Sequence, residues 1–190
     1  THPIKIGHIG SAGKRKNVDI LYNISEKINF LIKKNLIQLS VIGVLEESIK
    51  PYMNDFVINF VDNKVNTPID RKYYDSQLSN LDYAIFFYGE NDFLLRSSAA
   101  FFDAIIYEKP IIALNNTFFE KLFLLNGDMG YLCDNKNQLI KVIEDISNLD
   151  STTLLKYSEF VKNIQLLKKS LDLKNIADDL NHQLKALHII

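Results

Sequence analysis

Two hydrophobic rhythms alternate along the chain. Short apolar runs rich in β-branched and aromatic residues read as strands, at Ile4–Ile9, Gln38–Val44, Phe56–Phe60, Tyr83–Phe87, Pro110–Leu114 and Tyr131–Cys133. Between them lie stretches with apolar residues three or four apart, which read as helices. Val18–Lys34 is the clearest, with Ile20, Leu21, Ile24, Ile28, Leu31 and Ile32 on one side; Ser97–Tyr107, Phe118–Asn126 and Gln138–Leu149 follow. Runs such as Val41–Val44 and Ile85–Phe87 are apolar on both faces, as in a parallel sheet covered on both sides. Repeated β-α units of this kind predict a doubly wound, Rossmann-like α/β fold, with a mostly parallel sheet and helices on both faces. Strand signals cease from about Ser151, where two C-terminal helices with a break near Ser170–Asp172 are expected. The expected division is residues 1–150 as the Rossmann-like binding domain and 151–190 as its helical extension.

Composition narrows the picture. The chain has 190 residues, 47% hydrophobic and 24% charged, which suits one folded domain. A domain of this size buries roughly 70% of its unfolded surface. With 22 basic and 23 acidic residues the net charge is −1, so no nucleic acid is expected as a partner. A lone cysteine, Cys133, makes neither an internal disulfide nor a zinc site. A reducing, cytoplasmic location is the matching expectation. The longest apolar runs are far too short to span a membrane, and no signal peptide is discernible. The chain opens at Thr1 and enters a strand at once, which reads as a piece of a longer protein. Abundant Asn, Ile and Lys hint at an AT-rich genome.

In an open α/β sheet ligands bind outside the carboxyl ends of the strands, so the loops there are the places to search. The first loop is Gly10-Ser11-Ala12-Gly13-Lys14-Arg15-Lys16-Asn17. Small residues let backbone amides approach a ligand, and Lys14, Arg15 and Lys16 add positive charge, the combination a phosphate requires. The spacing is neither a Walker P-loop nor G-x-G-x-x-G, and a solvated basic turn is an equal reading of the loop alone. The second region runs from Tyr88 into a helix opening with Arg96-Ser97-Ser98. Ser97 or Ser98 is a natural N-cap, the first-turn amides form an anion site, and Arg96 stands beside it. Asp103, further along that helix, could accept hydrogen bonds from ribose hydroxyls. Plain capping, a surface ion pair and a solvated helix position are the structural alternatives. The third, Val61-Asp62-Asn63-Lys64-Val65, could frame a nucleotide base through Asn63 and Val65, or be an ordinary loop. His8, in the first strand, reads as a packed polar residue. No metal-ligand spacing, nucleophilic triad or catalytic base is identifiable.

Together these segments resemble the C-terminal domain of GT-B-fold glycosyltransferases, in particular the group 1 or family 4-like enzymes. Ile6-Gly7-His8-Ile9-Gly10 followed by Lys16-Asn17-Val18-Asp19-Ile20-Leu21 is similar to that family's first strand, glycine turn and helix start. Leu39–Gly43 resembles its second strand, and Tyr74 to Ala84, with Leu78 and Asp82, the segment leading into its fourth. Arg96-Ser97-Ser98, Asp103-Ala104 and Lys109–Ala113 resemble its R-x-S…E-A…G-K-P-V-I-A stretch, and Gly127, Gly130, Tyr131 and Leu132 its G-x-G-x-L strand. The likeness runs from Ile4 to Leu149, and its specificity lies in order and spacing. It implies a sugar-transfer enzyme whose other domain, bearing the acceptor site, lies outside this chain. That domain would also provide any peripheral membrane association. It further implies a nucleotide-sugar donor, neither cofactor nor metal, and a role in bacterial surface polysaccharide synthesis. By position, Lys16 and the backbone of Gly10, Ser11 and Gly13 would meet the donor diphosphate, as would Ser97 and Ser98, and Asp103 the ribose.

Four positions depart from the pattern. Ser11 stands where many members have arginine, Leu95 and Asp103 where retaining members have the two glutamates of E-x7-E, and Glu108 where glycine precedes Lys-Pro. A non-catalytic nucleotide-binding or regulatory module and a nucleotide-sugar epimerase-like domain are the alternative functions.

Overall fold

The structure, a computed structural model, describes residues 2–61, 64–90 and 98–187. Among them six strands form one sheet: β1 (Ile4–Ile9), β2 (Ile37–Ile42), β3 (Val57–Asn59), β4 (Tyr83–Phe86), β5 (Ile111–Leu114) and β6 (Gly130–Cys133). The order is β3-β2-β1-β4-β5-β6, and every pairing is parallel. The order reverses between β1 and β4, which opens a crevice at their carboxyl ends.

The helices are α1 (Asp19–Lys27), α2 (Asn29–Lys33), α3 (Arg71–Ser79), α4 (Ala99–Ile106), α5 (Thr117–Asn126), α6 (Lys136–Ser147), α7 (Ser151–Ser170) and α8 (Leu173–Ala186). From α3 onward each starts at a short polar residue, Asp70, Ser98, Asn116, Asn135, Asp150 or Asp172. The side chain of each accepts a hydrogen bond from a first-turn amide.

Strand alternation divides the core in two. Tyr83, Ile85 and Phe87 point to the face covered by α1 and α6, with Ile20, Leu21, Ile24, Leu139 and Ile143. Ala84, Phe86 and Tyr88 point to the face covered by α3, α4, α5 and α7, with Leu78, Phe101, Phe119 and Ile164. Strands buried on both sides carry no polar face, which accounts for their uninterrupted apolar sequence.

Two expectations change. The single helix read over Val18–Lys34 is interrupted at Ile28, whose φ of −101° and ψ of 17° leave helical geometry. There the Asn29 side chain takes the Glu26 carbonyl, 2.6 Å away, in competition with the backbone ladder. The strands read as Gln38–Val44 and Phe56–Phe60 are shorter, because Gly43-Val44 and Phe60-Val61 already belong to the loops over the sheet edge.

Candidate functional site

The loops after β1, β2 and β3 are knitted together. Ala12 bridges Leu45, and Leu45 bridges Val65, which extends the parallel pairing beyond the strands. This bridge is where the structure places the Val65 backbone; Asn63 lies outside the described residues. The close approach explains two glycines. Gly10 has φ of +88° and Gly43 φ of +149°, and a side chain on Gly43 would collide with the Gly10 carbonyl.

The glycine turn is already engaged by the protein. Its Gly10 and Ala12 amides donate to the Ile42 and Val44 carbonyls, 2.9 and 2.8 Å away. The Lys14 amide donates to Ser48 Oγ. The Ser11 hydroxyl donates to Glu46, whose carboxylate packs against Gly13 where a Cβ would otherwise stand. Lys14 Nζ is 2.7 Å from the carboxylate of buried Asp19 and lies 4.6 Å from the centre of the Tyr52 ring. The Asp19 hydrogen bond holds the Lys14 ammonium above its usual pKa. Of the three consecutive cations, then, Lys14 stabilises the turn. Lys16 Nζ reaches over the turn, 3.9 Å from where a Gly10 Cβ would be. Arg15 is exposed. Asn17 follows in the left-handed region, φ of 56°, and its side chain ties the turn to the Phe87 carbonyl at the end of β4.

His8 is fully buried beneath this turn, its ring nitrogens 3.2 Å from the carbonyls of Ile85 and Ser11. Burial first, with the Lys16 charge, pulls its pKa down to about 4, against the pull of the two carbonyls. The imidazole is a neutral packing group at neutral pH.

Across the crevice, α4 brings Ala100 against Gly10. Ser98, its N-cap, is buried, and its hydroxyl accepts from the Phe101 amide and bonds the Tyr88 hydroxyl at 2.8 Å. Its side chain serves helix and core, and the Ala99 and Ala100 amides are the first-turn donors it does not cap. Arg96 and Ser97 lie outside the described residues. Asp103 faces α3. It accepts from the Tyr74 hydroxyl at 2.8 Å and from Arg71 Nη2 at 3.3 Å, and its side chain is 17% exposed.

Tyr74 and Arg71 went unread in the sequence as site residues. Both line a cavity of about 260 Å³ together with Gly10, Ser11, Gly43, Val44 and Ile69. The sequence signals nearby are Pro68-Ile69-Asp70, a helix start, and Tyr74 as the first residue of the segment leading into β4, and neither marks a binding residue.

The remaining motif residues have structural tasks. Lys109 Nζ donates to the carbonyls of Ser79 and Leu81, each 2.8 Å away, and so closes the end of α3. Glu108 adopts φ of 55° where glycine would be unstrained, and its carboxylate meets Gln165 and Lys168 of α7, each at 2.7 Å. The departure at this position therefore anchors α7. Burial pushes the Cys133 thiol up to about 11, so it is inert. Among the described residues no cluster of three or more His, Cys, Asp and Glu side chains could hold a metal. No helix among them is long and apolar enough to cross a membrane.

No protein-family model matches the sequence, and no curated protein does. Solved structures match it in fold. A mutant of S. aureus TarM, in complex with fondaparinux, alpha-GlcNAc-glycerol and UDP, aligns with a TM-score of 0.64 and 18% identity. That match covers 95% of this chain and 36% of that one. The pneumococcal O-GlcNAc transferase GtfA, in complex with UDP and GlcNAc, gives 0.62 and 14%, over 97% of this chain and 36% of that one. The C-terminal domain of LpcC, a glycosyl transferase group 1 family protein from Francisella tularensis, gives 0.60 and 18%, over 90% and 87%. The chain thus spans about a third of the first two proteins and most of an isolated C-terminal domain. At these identities the likeness is one of fold alone, a parallel Rossmann-like sheet shared with the corresponding part of those proteins.

Proposed function

We propose that this domain holds the nucleoside diphosphate of an activated sugar and serves as the donor half of a glycosyltransferase. The observation that carries the reading is the crevice at the β1/β4 switch point. There Lys16 Nζ stands over the Gly10 turn and the first turn of α4 abuts the same glycine. A cation and a helix N-terminus converging on one backbone position suit a diphosphate. TarM and GtfA, which share the fold, are described in complex with UDP.

As the glycosidic bond breaks, negative charge gathers on the departing diphosphate. Lys16 and the Ala99 and Ala100 amides are the donors we assign to stabilise it. Asp103, bonded to Tyr74 and Arg71 of the cavity wall, has the lone pairs to take ribose hydroxyls, and the Val65 backbone, bridged to Leu45, is our candidate for framing the base. No bound metal or cofactor is required by this reading. The acceptor and the group that activates it belong to a further domain, and surface polysaccharide is the acceptor class we favour. A second reading is a nucleotide-binding module without transfer, favoured by Leu95 in place of the glutamate that retaining enzymes direct at the donor sugar.

Calorimetric titration of UDP, GDP and their sugar conjugates tests the proposal. Saturable binding of one nucleotide is expected, weakened about tenfold to a hundredfold by Lys16→Ala, as for loss of a charged hydrogen bond. Equal binding by the variant would remove Lys16 from the site.

A further inference from the structure

Most of the donors in the glycine turn serve the protein itself. The Ser11 hydroxyl serves Glu46, Lys14 serves Asp19 and Tyr52, and the Gly10, Ala12 and Lys14 amides serve neighbouring loops. A multiply charged ligand over this turn needs a second source of positive charge besides Lys16. Arg71, the first residue of α3, lines the same cavity as Gly10, Ser11 and Gly43. Its side chain is 64% exposed, and its guanidinium carbon lies 5.1 Å from the centre of the Tyr74 ring. Nη2 is shared between Asp75 at 2.9 Å and Asp103 at 3.3 Å. Among the described residues the polar contacts of the guanidinium run through that nitrogen, which leaves Nε and Nη1 of an exposed side chain without a protein partner.

We infer that Arg71 is the second diphosphate-binding cation of this site, oriented by Asp75 and Asp103 and stacked on Tyr74. The inference rests on the donor-site reading above and deepens it. A ribose diphosphate displays hydroxyl donors next to phosphate acceptors. The Asp103–Arg71 pair displays the complement, a carboxylate next to a guanidinium. Arginine suits this place because its fork meets phosphate oxygens in pairs and keeps its charge beside two carboxylates. With Lys16 over the turn and Arg71 on the α3 wall, the phosphates are met from two sides.

The test is calorimetric titration of uridine, UMP and UDP, with the guanosine series in parallel, into the chain and its Arg71→Gln, Arg71→Lys and Asp103→Asn variants. Arg71→Gln is expected to weaken the diphosphate about tenfold to a hundredfold and the nucleoside hardly at all. Arg71→Lys should keep part of the diphosphate preference, and Asp103→Asn should weaken the nucleoside, and the diphosphate at least as much. A thermal melt of each variant confirms folding. If Arg71→Gln leaves affinities unchanged, or weakens nucleoside and diphosphate equally, Arg71 acts at most through Asp103 and the inference fails. Wild-type binding that gains nothing from the phosphates also defeats it, while the nucleotide site stands. Wild-type protein that binds none of these ligands overturns the donor-site reading and this inference with it.

Discussion

The His8 ring is fully buried, with its two nitrogens against the carbonyls of Ile85 and Ser11. Its pKa falls from 6.5 to about 4 in the folded protein, so between those values the unfolded chain binds the extra proton. The stability it confers is therefore complete above pH 6.5 and drains away as the pH falls towards 4. The amount is on the order of 3 kcal/mol over that window. Chemical denaturation at several pH values should show the wild type losing stability more steeply than His8→Gln across it. Parallel curves would show that His8 does not titrate there. Lys14 and Lys16 differ in their surroundings. Near neighbours in sequence and alike in charge, they separate only in three dimensions, because Asp19 and Tyr52 claim the first and the second is turned over Gly10.

At the scale of elements, legibility followed burial. The strands and α4, α5 and α6 were visible because each buries a run or a stripe of apolar side chains. Helix α3 was not, because Arg71–Ser79 buries only Tyr74 and Leu78 among polar neighbours, too few anchors for a period to show. Yet α3 carries Arg71 and Tyr74, two of the residues that define the cavity. A helix with so little burial depends on its cap. The Asp70 carboxylate accepts from the Tyr73 amide at 3.0 Å. Asp70→Ala should cost about 0.5–2 kcal/mol in urea denaturation and loosen Arg71 as well. A variant as stable as the wild type would show that packing alone holds α3. The interruption at Ile28 was hidden for the opposite reason. The apolar stripe continues through it while the Asn29 side chain breaks the backbone pattern beneath.

For the whole molecule, the alternation of strand and helix implied a doubly wound sheet, and the parallel order with its reversal between β1 and β4 puts the crevice where the loops had pointed. What the sequence could not show is that the loops over the crevice hydrogen-bond one another before they meet a ligand. Isolated bridges between residues far apart in the chain, Ala12 with Leu45 and Leu45 with Val65, leave no periodicity to read. The C-terminal pair is a different case. Helix α8 buries no residue of its own, and Leu173 and Leu187 are 85% and 68% exposed. Its apolar period was legible because it is amphipathic, although among the described residues none of its side chains is buried. The crevice is also not the sole concavity among the described residues. Another, of about 270 Å³, lies at the opposite end of the strands between His2, Tyr83 and Tyr157.

The most direct measurement is therefore one that locates binding: an amide chemical-shift titration of the labelled chain with UDP and with GDP. Saturable shifts are expected, concentrated at Gly10 to Lys16, Gly43-Val44, Arg71 to Tyr74 and Ala99 to Asp103. Shifts confined to the His2–Tyr157 cavity or to α7 and α8, or no shifts with either nucleotide, would contradict the donor-site reading.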